Sequence, residues 1–198
     1  MKFQPEYPKG STPLDPDELN GLIPDDIVMQ SELNFLEQKN IIEGKNWALK
    51  YRKEILDESF VRLLHKRMYG DVWTWSGQYR TTQKSIGIDS SQISTQVFIL
   101  MKDVQTWVEH QSYNWTEILA RFHHRLVFIH PFPNGNGRYS RMHTDLLAAK
   151  YNQQIPTWGA ASVVGDINQE GGIREVYIQA LKFADQKKFD ELIRFLYL

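Results

Sequence analysis

The segment His130-Pro131-Phe132-Pro133-Asn134-Gly135-Asn136-Gly137-Arg138-Tyr139-Ser140-Arg141 brings together residues that can do chemistry as a group. A helical period ends at His130-Pro131, a tight loop carries two glycines, and a new helix is predicted from about Asn136. Gly135 and Gly137 lack a Cβ, so the backbone can turn sharply and come close to a ligand. The opening turn of the next helix leaves N–H groups unpaired and presents the positive end of its dipole, which makes an anion cradle. Arg138 and Arg141 are three residues apart and project from one side of that helix. Arginine suits bidentate phosphate binding. His130, on the other lip, adds a group that titrates near neutrality. Cradle, cationic clamps and base are the parts of phosphoryl or nucleotidyl transfer. Each feature alone has an ordinary reading: a turn between helices, a structural histidine before proline, an Arg141–Asp145 pair at i+4. Their order on one helix–loop–helix favours the functional one.

The elements that must hold this loop are mostly helical. A first helix is predicted to start near Ser31, with apolar positions at Leu33, Leu36, Ile41, Trp47, Ala48 and Tyr51 and a break at Gly44. A second runs from about Glu58 to Met68 and stops at Gly70. Ile93, Val97, Leu100, Met101, Val104, Trp107 and Val108 mark a helix of about 18 residues. Asn114 caps the next, with Glu117 completing a capping-box pattern, and Ile118, Phe122, Leu126 and Ile129 form its inner stripe. Pro131 ends it, because the residue before proline is pushed out of α geometry. The motif helix spans about Asn136 to Tyr151, and two more helices close the chain near 171–184 and 188–197. Residues 73–88 differ: aromatic, β-branched and glycine-interrupted, they predict a short hairpin flap, the only strand-like stretch. Residues 1–30 hold five of the eight prolines and read as an extended arm lying on the domain formed by residues 31–198.

Composition narrows the classes. The chain has 198 residues, 41% hydrophobic and 24% charged, which predicts one folded domain and argues against disorder. Net charge is −1, so no basic field draws in nucleic acid or an anionic membrane. There is no cysteine, which excludes disulfides, zinc ribbons and a thiol nucleophile and fits a reducing, cytoplasmic setting. No apolar run approaches a membrane span, and the polar N-terminus is unlike a secretory signal.

The motif resembles the signature of the Fic (Fido) family, His-x-Phe-x-Asp/Glu-Gly-Asn-Gly-Arg-x-x-Arg, at every specified position except the fifth, where this chain has Asn134. The flap upstream, the helices around the loop and Tyr177-Ile178-Gln179-Ala180-Leu181 are also similar to a Fic core. Ser11-Thr12-Pro13-Leu14-Asp15-Pro16 and the 73–82 stretch resemble the bacterial branch called mobile mystery protein B. The resemblance implies a mostly α fold, a Fic-type helical bundle with a short β-hairpin flap.

It also implies a protein adenylyltransferase that moves AMP from ATP to a Ser, Thr or Tyr hydroxyl of a target protein. His130 would be the base. Gly135, Asn136 and Gly137 would hold the α- and β-phosphates through backbone N–H groups and the Asn136 amide, Arg138 would stabilise charge on the leaving phosphates and Arg141 would hold the γ-phosphate. Phe132 would anchor the loop inward. Thr82, Lys84, Ser85, Ile86 and Gly87 would dock an extended target segment by β-augmentation. The family's acid at position 134 binds Mg²⁺; Asn134 keeps a carbonyl ligand without the charge, so weak Mg²⁺ or use of Mn²⁺ is expected. Glu43, in Ile41-Ile42-Glu43-Gly44, resembles the ending of the family's inhibitory helix and would pair with Arg141, with Lys39 standing where Ser or Thr is expected.

Two further readings stand beside this one. Asn134 favours a nucleotide-binding or de-modifying Fic-fold protein with little transfer. A metal site built from His123, His124, His130 and His143 is a third, disfavoured because no His-x-x-x-His pair exists and His123 and His124 face different sides. A target protein and an antitoxin-like regulator are the expected partners, with the chain a monomer or weak homo-oligomer.

Overall fold

The computed structural model describes residues 13–160 and 172–198. Residues 1–12 of the predicted arm and the start of the 171–184 helix lie outside the described residues. Eight α-helices are present among those described: α1 (Pro16–Leu19), α2 (Gln30–Ala48), α3 (Glu58–Tyr69), α4 (Ile93–Glu109), α5 (Trp115–Ile129), α6 (Asn136–Lys150), α7 (Gly172–Asp185) and α8 (Asp190–Leu196). A 3₁₀ turn, Ser90–Gln92, leads into α4.

Local chemistry sets the ends. Asp57 caps α3 by accepting from the Ser59 N–H at 2.7 Å, and Gly70 terminates it. Asn114 caps α5 by accepting from the Glu117 N–H at 2.9 Å. The other half of the expected capping box is not made, because the Glu117 carboxylate pairs with Arg121 one turn on, at 2.6 Å. Helix α2 starts one residue earlier than Ser31. The Glu32 carboxylate there accepts from the N–H groups of Val28 and Met29, each at 2.9 Å.

Gly44 does not break α2. A Cβ at Gly44 would lie 2.7 Å from the Arg67 carbonyl oxygen, so the missing side chain lets α2 lie directly on α3. Helix α5 runs through the middle of the bundle, packed on α4, α6, α7 and α8. Phe60, Phe122, Leu126, Ile129, Phe132, Tyr139 and Leu147 are fully buried around it. At roughly 25 cal/mol per Å² of apolar surface, such burial is the main stabilising contribution.

The hairpin expected at residues 73–88 is not formed. That stretch is a series of turns, and its one ladder contact is the isolated antiparallel bridge Leu22–Trp73. The reason is a side chain. Arg80 is buried, and its guanidinium donates to the carbonyls of Thr82 (2.8 Å) and Ile88 (2.5 Å), bonds that a strand partner would otherwise supply. The chain before it is fastened to the same stretch: Ile23 N–H donates to Val72 O (2.9 Å) and Thr74 N–H to Gly21 O (2.8 Å).

Candidate active site

The motif loop hangs between α5 and α6. Pro131 bars α geometry at His130, and His130 takes the left-handed region at φ 53°. A non-glycine residue there is strained by about 1–2 kcal/mol. Two bonds from Arg80 hold it: the guanidinium Nε donates to His130 O at 2.7 Å, and the Arg80 N–H donates to Pro131 O at 2.9 Å. Phe132 points inward, fully buried, and stacks on the His65 ring at 3.7 Å. His65 Nδ1 accepts from the Gly77 N–H (3.0 Å), which leaves its Nε2–H to donate to Asn134 O (3.1 Å). One buried imidazole thus joins α3, the start of the flap and the motif loop. Burial pushes its pKa down to about 3, so it stays neutral.

Gly135 is left-handed at φ 78°, and a Cβ there would sit 2.6 Å from the Tyr69 ring. Both conformation and space therefore require glycine. The first ladder bond of α6 is Tyr139 N–H to Gly135 O at 2.9 Å, so the N–H groups of Asn136 and Gly137 lie outside the ladder at the helix's positive end. A Cβ at Gly137 would meet the Arg141 guanidinium at 3.6 Å, an ordinary contact distance.

Asn136 works differently from the role implied for it. Its amide is buried and turned back on the loop, accepting from the Phe132 N–H (2.9 Å) and donating to Phe132 O (2.7 Å). It shapes the cradle, and only its backbone N–H is left for an anion. Asn134 is half-buried, its Oδ1 accepting from the Gly135 N–H at 2.5 Å. No group of three or more His, Asp or Glu side chains that could hold a metal occurs among the described residues.

His130 is 7% exposed, and neither ring nitrogen has a hydrogen-bond partner. Burial, then the positive charges of Arg80 and Lys84, lower its pKa to about 4, with the Val127 backbone opposing. It is therefore a neutral imidazole at physiological pH, in the form that accepts a proton. Arg138 and Arg141 flank the cradle and both act electrostatically on the buried Tyr69 hydroxyl. Arg138 lies over the Tyr69 ring at 5.3 Å, and Arg141 lies 5.9 Å from the Tyr177 ring centre.

Glu43 does not approach the arginines. It is exposed on α2 and forms no ion pair among the described residues. The carboxylate that reaches the motif from α2 is Glu37, buried, with Oε2 on Arg138 Nη1 at 2.5 Å and Oε1 accepting from Trp73 Nε1 at 2.8 Å. Asp145 does not take Arg141 as its partner either. It accepts from Trp158 Nε1 at 2.9 Å, and burial raises its pKa to about 6.

The histidines do not converge. His123 meets the Tyr177 hydroxyl, His124 pairs with Asp185, and His143 lies between Tyr139 and Ile55 O. Of the flap residues, Ser85, Ile86 and Gly87 are exposed, while Thr82 and Lys84 are tied to the arm. Glu37, His65 and Arg80 were missing from the sequence reading. Each meets the loop from far along the chain, and no local pattern marks them.

The sequence model of the Fic/DOC family matches residues 55–148. "Protein adenylyltransferase Fic" of Aedes aegypti is 31% identical over 129 residues, covering 59% of this chain and 26% of that protein. The chain thus spans about a quarter of the length of the curated relatives it matches. Among solved structures, the N-terminal Fic domain of a VirB-translocated Bep effector from Bartonella quintana aligns at TM-score 0.68 and 17% identity, covering 89% of this chain and 91% of that one. BepC of Bartonella tribocorum, solved with bound AMPPNP, aligns at TM-score 0.64 and 17% identity, covering 92% and 98%. The fold is the Fic fold, and residues 55–148 of this chain, with the motif loop inside them, match the Fic/DOC family.

Proposed function

We propose that this protein is a nucleotidyltransferase that moves AMP from ATP to a hydroxyl side chain of a target protein. The observation that carries the reading is the placement of His130 at the end of α5, across the motif loop from the first turns of α6 that bear Arg138 and Arg141. The names of the matched relatives and the nucleotides bound in structures of the same fold support it.

In the reaction, the target oxygen forms a bond to the α-phosphorus as the bond to the bridging oxygen of the β-phosphate breaks. Pyrophosphate leaves, and the hydroxyl proton passes to a ring nitrogen of His130. The N–H groups at the start of α6 and the two guanidiniums balance the negative charge that builds on the phosphates. Asn136 and Phe132 keep the cradle in shape before substrate arrives. The exposed backbone at 85–87 positions an extended target segment through main-chain hydrogen bonds. A divalent ion, Mg²⁺ or Mn²⁺, would be shared between the ATP phosphates and the side-chain carbonyl of Asn134. We place the protein in a reducing, cytoplasmic setting, with a protein target and an antitoxin-like partner and no nucleic acid. No helix among the described residues is long and apolar enough to cross a membrane.

The test is incubation with α-labelled ATP and host lysate; transferred label that His130→Ala abolishes supports the reading. A second reading, nucleotide binding or de-modification with little transfer, is favoured by Asn134, an uncharged amide where the family motif has an acid. Tight ATP binding without transferred label supports that instead.

A further inference from the structure

The segment from Thr82 to Ile88 lies directly on His130. A Cβ added at Gly87 would sit 2.7 Å from the His130 Cβ, so the backbone approaches as closely as only glycine allows. The segment is fastened on two sides. Arg80 holds the inner side through the carbonyls of Thr82 and Ile88 while also holding that of His130. The outer side is held by the arm. Lys84 Nζ donates to the Asp15 carboxylate at 2.7 Å and to Glu18 at 2.5 Å, and Thr82 Oγ1 donates to the second Glu18 oxygen at 3.1 Å.

The outer clamp is itself fixed. Glu18 Oε2 also accepts from the Asp15 N–H at 2.8 Å, and Trp75 Nε1 donates to Glu18 O at 2.9 Å. The Lys84 side chain is only 3% exposed and that of Glu18 11%, so salt screens the pair weakly. Beneath this cover, both His130 ring nitrogens are buried without a partner. A base in that position cannot reach a target hydroxyl until the cover moves.

We propose that the N-terminal arm is a latch: Asp15 and Glu18, acting through Lys84, hold residues 82–88 closed over His130, and modification of a target requires that clamp to open. The latch rests on the reading of His130 as the base. Arg80 is the hinge side, since it joins the cover to the motif loop. Lys84 is the release side, since it joins the cover to a separate part of the chain.

The test uses the full chain and the variants Glu18→Gln and Lys84→Met. Diethyl pyrocarbonate modifies neutral imidazoles, and peptide mass spectrometry reads its rate at each histidine near neutral pH. Either variant should speed modification of His130 about tenfold, while the fully buried His65, His123 and His143 remain protected. Transfer from labelled ATP should rise alongside. Modification of His130 as slow as in the wild type, or a fall in transfer, overturns the latch. Faster modification with no transfer in any variant supports closure by the arm and overturns the transferase reading instead. Should Lys84→Met also expose the three buried histidines, Glu18→Gln decides, because it keeps the residue's shape and its bond to the Asp15 N–H.

Discussion

Glu37 and Glu43 stand on the same helix with opposite surroundings. Each residue of an α-helix turns by roughly 100°, so positions seven apart share a face and positions six apart do not. Gly44 faces α3, and Glu37, seven residues before it, faces the same way toward Arg138. Glu43 must then face solvent. The Glu-Gly pair is legible in the sequence, but which carboxylate points inward depends on where α2 meets α3. A buried charge-assisted pair contributes about 1.5–3 kcal/mol. Glu37→Gln keeps the bond from Trp73 and removes the negative charge facing Arg138. Its ATP dissociation constant should fall about tenfold by calorimetry, one decade being ~1.4 kcal/mol. Glu43→Gly should leave that constant within about twofold, at a cost of ~1 kcal/mol in helix stability. A gain at Glu43 with none at Glu37 would reverse this assignment.

At the scale of elements, α2 and α3 meet through Gly44. Replacing a mid-helix glycine with alanine ordinarily stabilises by roughly 0.5–1 kcal/mol. Here the new methyl would meet the Arg67 backbone at 2.7 Å, and backbone cannot swing aside as a side chain can. Overpacking of this kind typically costs about 1–3 kcal/mol, so packing outweighs propensity. Gly44→Ala should lower the urea midpoint; a raised midpoint would show that the two helices can part at little cost. Helix ends were largely legible in the sequence, because Asn114, Gly70 and Pro131 act on their own neighbours. The flap was not. Aromatic and β-branched residues there promise strands, yet Trp73 and Trp75 are engaged with Glu37 and Glu18 O, and Arg80 takes the carbonyls. Those partners lie far off in the sequence.

For the whole molecule, four histidines are buried with lowered pKa values: His65 and His123 at about 3, His130 and His143 at about 4, each chiefly through burial. The unfolded chain binds protons at these groups below about pH 6.5, while the folded chain does not until far lower. Stability therefore falls as pH drops from 6.5 toward 4, because the unfolded state binds more protons. Asp145 opposes this below about pH 6, since its pKa is raised in the fold and it takes up a proton there. Each shifted group contributes up to about 1.4 kcal/mol per pH unit, so the net loss amounts to roughly a few kcal/mol per unit. Urea unfolding followed across that range should show a steep decline. A flat profile would mean that the four imidazoles are not held neutral. The three apart from His130 are held in different places: His65 by Gly77 and Asn134, His123 by Tyr177, and His143 by Tyr139 and Ile55.

The central claim is that His130 takes the proton from a target hydroxyl as AMP is transferred. The direct measurement is the mass of protein recovered after incubation with ATP, for the wild-type chain and for His130→Ala. The account predicts an added AMP on a Ser, Thr or Tyr with the wild type, and a rate lower by about 10²–10⁴-fold in the variant while ATP still binds. An equal rate in the variant, or no added AMP on any protein from wild type, would contradict it.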